Sequence, residues 1–201
     1  MPVPDADVVP AAWSRITRWL EKHAPGDHAA LRPGASEAAL AALRDGLGFA
    51  PHPGLRSLLA VCDGVVPRRA SGEAGAFLVG YGLLGTVEVL EWQRYLARRA
   101  EEAVEEGYED EVGRTSHARW VPFAQALTGD LLFVDHREDE EGAYGTVGEI
   151  SFGDPDHQRP WPGLGAMLDD LADAMEHGTV SAAVGRRPAV HEGRMLEWPT
   201  V

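Results

Sequence analysis

Hydrophobic side chains recur every three or four residues in five segments of this 201-residue chain, which predicts five amphipathic helices. The segments are residues 12–22, 36–48, 53–62, 86–107 and 161–177. Ser36 and Thr86 are predicted N-caps, and Gly107 and Gly178 are predicted helix stops. The fourth helix is predicted to bury the residues of its apolar face: Val89, Leu90, Trp92, Leu96 and Val104. Such stripes normally face a core, so the helices are predicted to form a layer packed on the rest of the domain.

Short apolar runs separated by turn residues between positions 119 and 150 predict successive antiparallel strands. The runs are Trp120-Val121-Pro122-Phe123, then Leu131-Leu132-Phe133-Val134 after the turn Gly129-Asp130, and a third that opens with Gly145-Thr146-Val147. Trp120 is predicted to face the core, Pro122 to lie in an edge strand or at a strand end, and Asp135 to hold the following loop. Residues 76–79 predict another short strand. Residues 187–198 predict either a hairpin that turns at 191–194 or a tail laid over the domain.

The charge balance narrows the possible partners. The chain has 32 acidic and 18 basic side chains, a formal charge of −14. Nucleic acid is disfavoured because phosphate binding needs clustered Lys and Arg, whereas an acidic surface steers basic proteins toward it. The residues predicted to contact such a partner are Glu105, Glu106, Glu109, Asp110 and Glu111, with Glu138, Asp139, Glu140 and Glu141 of a second acidic segment. A solvated face or mobile loop is the alternative interpretation of both segments.

Cysteine usage and hydropathy bear on the compartment. Cys62 is the single cysteine and lies in an apolar run, which predicts a buried, unreactive thiol and neither a disulfide nor a cysteine-based zinc site. The first ten residues lack the pattern of a secretion signal, and no run approaches about 18 apolar residues. A cytoplasmic protein without membrane association is therefore predicted, and the length favours one domain. The pattern makes no prediction of oligomeric state.

Two segments match binding motifs incompletely. Gly80-Tyr81-Gly82-Leu83-Leu84-Gly85 has the spacing of a dinucleotide-binding loop, but no following strand ends in an acidic residue about 20 positions on. A small-ligand or nucleotide site from Gly80 to Gly85 is therefore kept as an alternative. Asp135 and His136 end a strand and are a second alternative, as a metal site, although paired-histidine and calcium-loop spacings are absent. No serine lies in a nucleophile-elbow context. The sequence thus predicts no catalytic residue, no cofactor and no bound metal.

The order of these features resembles the SUKH superfamily, whose named founder is the fungal regulator of cell-wall glucan synthesis. The resemblance covers residues 35–177 and rests on short motifs in order: Pro53-Gly54-Leu55-Arg56-Ser57-Leu58-Leu59 before Asp63-Gly64, the three apolar runs with their turns, and Leu168-Asp169-Asp170-Leu171. Its signature residues in this chain are Asp63, Gly64, Trp120, Pro122, Gly129, Asp130, Asp135, Gly145 and Val147. The long helix with its acid-rich end and the segment after Gly178 lie outside the pattern.

The resemblance implies a single α+β domain with a mixed, mostly antiparallel sheet packed by N-terminal, central and C-terminal helices. Residues 35–178 would form this domain, with a helical extension at 1–34 and a C-terminal extension at 179–201 packed on it. Bacterial members are chiefly immunity proteins that neutralise a cognate toxin by binding it, and the family is not known for catalytic residues. The leading hypothesis is therefore a non-enzymatic immunity protein that binds through its acidic surface. The alternative is a regulatory or scaffold protein of a cellular pathway such as cell-wall synthesis.

Overall fold

The computed structural model describes residues 5–67, 70, 73–152 and 154–199, with the backbone alone for 154–159. The helices are α1 Asp5–His23, α2 Pro25–Ala30, α3 Glu37–Leu47, α4 Pro53–Val61, α5 Thr86–Glu105 and α6 Leu164–His177, with a 3₁₀ turn at Glu109–Glu111. The strands are β1 Tyr81–Leu83, β2 Trp120–Ala126, β3 Leu131–Asp135, β4 Val147–Ser151, β5 Asp154–Trp161, β6 Ala189–His191 and β7 Met195–Glu197. No helix within these residues is long and apolar enough to cross a bilayer.

Strands β1 to β5 form one sheet in chain order, and every pairing between neighbours in it is antiparallel. Strands β6 and β7 form the predicted hairpin, which excludes the alternative of an extended tail. The α+β class predicted from the sequence is confirmed. The described pairings of the five-stranded sheet include no parallel one; β1 is connected to β2 through α5, whereas β2 to β5 follow one another in the element order.

Helices cover both faces of the sheet. On one face, Leu132, Val134 and Val147 join a large core with α1, α3, α4 and α6. On the other face, Trp120, Leu131, Phe133 and Ile150 pack against Leu96 of α5. Because successive residues of a strand point to opposite faces, the continuous apolar run of β3 supplies both cores. The predicted core position of Trp120 is confirmed, since its side chain is fully buried.

The helix predicted over residues 12–22 begins earlier, at Asp5, and contains Pro10. Its buried face includes Ile16 and Leu20 and packs against α4 and α6. Arg15 on its outer side forms ion pairs with Asp169, at 2.6 Å, and with Asp173 and Glu176. The N-terminal helix therefore shares the core with residues 35–178. The hairpin at the other end does so through Leu196 and Trp198.

The signature pair Asp63-Gly64 positions the start of α5. The Asp63 carboxylate accepts a hydrogen bond of 2.6 Å from the backbone N–H of Thr86. Thr86 is therefore not the N-cap that the sequence predicted: Gly85 occupies that position and has no capping side chain, so the cap comes from a distant residue. Gly64 has φ +84°, and a Cβ there would lie 2.5 Å from the Gly85 nitrogen. A glycine is consequently required at this position.

The other signature residues hold turns and strand ends, as predicted. Pro122 lies beyond the reach of β1, which pairs only with residues 124–126, so β2 is locally an edge at that point. Gly129 has φ +98°. The Asp130 carboxylate accepts hydrogen bonds from the Thr128 hydroxyl, at 2.7 Å, and from the Phe152 backbone N–H of the next hairpin, at 3.1 Å. Two adjacent turns are thereby tied together.

Gly145 and Val147 close the loop that follows β3. The Gly145 N–H donates to the Asp135 carbonyl at 2.8 Å, and its φ is +84°. A Cβ at this position would lie 2.7 Å from the ring of His52, so the loop approaches α4 more closely than a larger residue permits. The Val147 side chain is fully buried in the main core.

Three local predictions are wrong. Residues 76–79 form a turn rather than a strand, and the strand is Tyr81–Leu83. Trp161 ends β5 instead of beginning α6. Val104 is 49% exposed, so the buried face of α5 does not extend to its last turn. The helix there continues past the end of the sheet that would cover it.

Candidate functional site

The centre of the candidate site is the buried carboxylate of Asp135, at the end of β3. It accepts hydrogen bonds from Trp120 Nε1 at 3.1 Å and from the Arg137 backbone N–H at 2.9 Å. The Arg137 guanidinium binds the same carboxylate, with Nη2 2.8 Å from Oδ2. Asp135 therefore fixes the following loop, as the sequence predicted, and it does so with a buried ion pair.

Arg137 lies between the two acidic segments and is almost fully buried. It forms a second ion pair with Glu140 of the 138–141 loop. A Cβ added at Gly113 would lie 3.3 Å from Nη1, the nitrogen that also pairs with Glu140, so the loop after Glu109–Glu111 packs against the guanidinium as well. Burial lowers the pKa of Arg137, but the hydrogen bond and charge of Asp135 outweigh that effect and the pKa is raised. The guanidinium is consequently a permanent cation that joins the two segments.

A shallow groove of about 360 Å³ runs beside the last turns of α5. Its lining is Ala97, Ala100, Glu101, Val104, Glu105, Val112, His117 and Ala118. Small apolar side chains form most of this lining, and Val104 is the large hydrophobic residue that is exposed in it. The groove therefore offers apolar contact area with carboxylates at its rim.

The nine predicted contact acids lie at least partly exposed on the surface, and Glu105 also lines this groove. Glu105, Glu106, Glu109, Asp110 and the four residues of the 138–141 loop are exposed, and Glu111 is half-buried. Glu111 pairs with Arg114 at 3.3 Å, and Glu140 pairs with Arg137. Within the described part of the chain, the other seven form no ion pair. Their negative charge is therefore available to a partner.

His117 shows that charges of the 138–141 loop act on the groove. Burial is the main cause that lowers its pKa, and the Arg137 cation adds to the effect. The negative charges of Asp139 and Glu140 oppose it. The histidine in the groove wall is thus within electrostatic reach of the 138–141 loop, although that loop is distant from α5 in sequence.

The Gly80 to Gly85 segment does not form a phosphate-binding loop. Gly80 belongs to a turn, residues 81–83 are a buried strand, and Gly85 begins α5. The anion position at that helix N-terminus is taken by the Asp63 carboxylate, which binds the Thr86 N–H. This arrangement disfavours the nucleotide alternative.

The second alternative, a metal at Asp135 and His136, is also disfavoured by the hydrogen bonds. His136 Nε2 accepts from the His52 backbone N–H at 2.7 Å, and Nδ1 lies 2.9 Å from the Val134 carbonyl, to which it donates. Neither ring nitrogen is therefore free to bind a metal. Among the described residues, no group of three or more His, Cys, Asp and Glu side chains has metal-binding geometry.

Burial of neutral His136 gives the fold a pH dependence. Its pKa is lowered to about 4, mainly because burial disfavours the cation; the bond to Val134 opposes this shift and the charge of His52 adds to it. The unfolded state binds this proton from about pH 6.5 downward and the folded state from about pH 4. Stability from His136 is thus complete above pH 6.5 and is lost as the pH falls through that range.

We expect His136 to lower the free energy of unfolding by about 2 kcal/mol between pH 7.5 and pH 5. Urea unfolding of the wild-type chain and of His136→Gln at the two pH values measures the difference, because glutamine does not titrate. The exposed His177→Gln chain is the control and should keep the wild-type pH dependence. If the His136→Gln chain lost as much stability between pH 7.5 and pH 5 as the wild type, this assignment would be contradicted.

The sequence predicted acidic surface segments but gave no indication of the buried Arg137 or of the groove. Arg137 lies next to a run of four acidic residues, and nothing in that local pattern distinguishes a buried guanidinium from an exposed one. The only signal was its position two residues after Asp135, where an acidic side chain commonly binds the backbone. The groove joins α5 to residues 112–118, and helical periodicity carries no information about that contact.

Comparison with known proteins adds no assignment to this geometry. A scan of the chain against protein-family models finds no match, and a search of curated proteins finds no significantly similar sequence.

Proposed function

We propose that this chain is a non-enzymatic protein-binding module that takes a basic protein partner on the acidic groove beside α5. The observation that carries the proposal is an apolar groove with Glu101 and Glu105 on its rim, whose wall residue His117 lies within electrostatic reach of the acidic 138–141 loop. Unpaired surface carboxylates repel one another, and their close placement is unfavourable for the free protein. A basic partner relieves that repulsion and gains fast association at low salt.

The apolar lining of the groove provides binding affinity that surface charge alone does not provide. Exposed ion pairs contribute at most about 1 kcal/mol each, whereas apolar anchors in a desolvated centre contribute most of the affinity of an interface. Val104 and the alanines of the lining provide the apolar centre, and Glu101 and Glu105 provide its acidic rim. A partner segment with apolar residues flanked by Lys and Arg matches both parts.

The resemblance to the SUKH superfamily supports a more specific form of this proposal, in which the partner is a toxin and the chain is its immunity protein. Bacterial members of that superfamily act by binding, which agrees with a site built from charge and apolar area. The regulatory or scaffold alternative uses the same surface with a different basic partner. Identification of the partner therefore distinguishes the two forms.

Co-expression of the chain with the products of neighbouring genes tests the proposal. We expect one basic product to co-purify at low salt and to dissociate as the salt concentration rises, because screening weakens exposed charge pairs. A toxic product whose effect on growth is suppressed by the chain supports immunity, and a non-toxic one supports regulation. Failure of every basic neighbour to bind at low and moderate salt would count against the proposal.

The surface is mapped with two matched variants. One replaces four acids around the groove with glutamine: Glu105, Glu109, Glu138 and Glu141. The control replaces four exposed acids elsewhere: Glu21, Glu37, Glu91 and Glu192. The formal charge changes equally, so a loss of affinity of about tenfold or more in the first variant alone assigns the face. Val104→Ser tests the apolar centre and should lower stability only slightly, because the Val104 side chain is 49% exposed. Equal binding by all three chains would place the partner elsewhere.

A further inference from the structure

A second concave site lies on the opposite side of the sheet from α5. It is a cleft of about 430 Å³ between the sheet and the segment that follows α6. Tyr81, Leu132 and Glu149 form the sheet wall, and Val184 and Arg186 belong to the facing segment. An adjoining chamber of about 290 Å³ shares Arg186 with it and extends to the β6–β7 hairpin. Volumes of this size are typical of small-molecule sites.

The backbone at the rim of the cleft is strained. Val79 has φ +57°, a conformation that is rare for any residue with a side chain and most unfavourable for a β-branched one. It lines both chambers, and the following residue, Gly80, also has a positive φ of 95°. Backbone strain of this kind is concentrated at ligand clamps and other functional sites. The turn at 77–80 is thus held in shape by its surroundings, at the point where it borders the cleft.

The sheet wall presents one carboxylate with a free acceptor. The Tyr81 hydroxyl donates to Glu149 Oε1 at 2.5 Å. Burial is the main cause that raises the pKa of Tyr81, and the hydrogen bond to Glu149 adds to it, so the hydroxyl keeps its proton and holds the carboxylate in place. The structure shows no described donor on Oε2 of Glu149. Both carboxylate oxygens of nearby Asp130 are already engaged, by Thr128 and Phe152.

The facing segment presents one cation. Arg186 is the basic residue common to both chambers, and its side chain is half-buried. Its charge acts on Tyr81, yet it forms no ion pair or side-chain hydrogen bond with any residue that the structure describes. A guanidinium offers five donors in a planar fork that fits a carboxylate in a bidentate manner. The cleft therefore holds an unused cation and an unused acceptor on opposite walls, with apolar side chains between them.

We propose that the cleft binds a small zwitterion of the α-amino acid class with an apolar side chain, either free or at the end of a dipeptide. The ligand carboxylate pairs with Arg186, and its ammonium group donates to Glu149 Oε2. Its side chain packs on Val79, Leu132 and Val184. A simple anion is disfavoured by the carboxylates of Glu149 and Asp130, and a simple cation leaves the Arg186 guanidinium without an anion, so a ligand with both charges satisfies both walls. This site is independent of the acidic groove proposed for the protein partner.

Thermal unfolding with a defined set of small molecules tests the inference. The probes are L-phenylalanine and L-leucine, the dipeptide Gly-Phe, and two analogues that each lack one charge, phenethylamine and 3-phenylpropanoate. A ligand with a dissociation constant of about 1 mM raises the Tm by roughly 3–6 °C at about 10 mM. We expect such a rise with at least one zwitterion and none with the two analogues. If only a free amino acid raises the Tm, the ligand is the free amino acid. If only Gly-Phe raises the Tm, the ligand is the peptide.

Two isosteric variants assign the contacts. Arg186→Gln should abolish the rise in Tm, and Glu149→Gln, which keeps an acceptor for Tyr81, should do the same by removing the charge. The controls are Arg187→Gln and Glu192→Gln, both at exposed positions, and they should respond as the wild type does. The ligand-free Tm of each variant separates folding defects from lost binding. No rise with any zwitterion, an equal rise with the single-charge analogues, or an unchanged response in Arg186→Gln would each overturn the proposal.

Discussion

An Asp135→Ala chain is expected to have a free energy of unfolding about 3–5 kcal/mol below that of the wild type. The carboxylate is fully buried, and its removal leaves the buried Arg137 guanidinium with only the exposed Glu140 as its anionic partner and the Trp120 indole N–H without its Asp135 acceptor. A buried charge that loses its buried partner is more unfavourable than the ion pair itself was favourable, so the loss is expected to exceed that of an ordinary hydrogen bond. Urea unfolding at neutral pH measures it.

Two further variants separate the charge from the shape. Asp139→Ala removes an exposed carboxylate from the neighbouring loop and should change stability by less than about 0.5 kcal/mol. Asp135→Asn retains an acceptor for Trp120 but not the charge, and its loss should lie between the other two. Asp135→Ala and Asp139→Ala chains of equal stability would show that the ion pair contributes nothing to the fold.

Phe133→Ala is expected to lower the free energy of unfolding by about 3–5 kcal/mol, because it opens a cavity in the smaller of the two cores. The Phe133 ring is fully buried and stacks on Trp120 with centroids 4.4 Å apart. Few residues form this core, and they lie on the hydrogen-bonded strands β2, β3 and β4 and on α5, so the site has little freedom to collapse around the missing ring. Chemical unfolding with fluorescence detection measures the change, and Trp120 is expected to report it directly.

Phe152→Ala is the matched control, since it removes the same atoms at a position that is 51% exposed. Its ring contacts Trp92 and Tyr95 near the edge of the same core. Its loss should be well below that of Phe133→Ala, because the hydrophobic contribution scales with the apolar area removed from water. If the two losses were equal, the smaller core would not be closely packed around Phe133.

The helices and turns were predicted because their signals are local. Ser36 caps α3 with a 3.2 Å bond to the Ala39 N–H, and Gly48 closes that helix in the left-handed region, both as the pattern indicated. Gly129 and Asp130 likewise hold a turn whose chemistry is contained in a few residues. The cap of α5 was not predicted, because its acceptor, Asp63, is 23 residues away.

The failure at residues 76–79 has a physical cause. All four of these residues are apolar, which is typical of a strand, and Phe77, Leu78 and Val79 are indeed buried. Val79 nevertheless has a positive φ that no propensity scale favours for valine, and the chain turns there so that Tyr81 can pair with Ala126 of β2. Tertiary pairing overrides local preference at this point.

The features of the candidate site likewise divide into those with a local sequence signal and those that depend on long-range packing. The exposure of the acids could be predicted because runs of carboxylates are evident in composition and pattern, whereas the groove depends on contacts between α5 and residues 112–118. Arg137 was missed for the same reason, since its burial follows from the position of Asp135 at the end of an inner strand. Charge can be predicted from the sequence, but the surface on which that charge is displayed depends on long-range packing.

The packing of α1 on α6 has a consequence for how the protein folds during synthesis. Arg15 and its partner Asp169 are 154 residues apart in the chain, and the buried face of α1 is completed only when α6 is present. Closing so long a loop carries an entropic penalty that no local contact offsets. The nascent chain is therefore expected to expose Ile16 and Leu20 until α6 has left the ribosome, and the last helix made completes the core begun by the first.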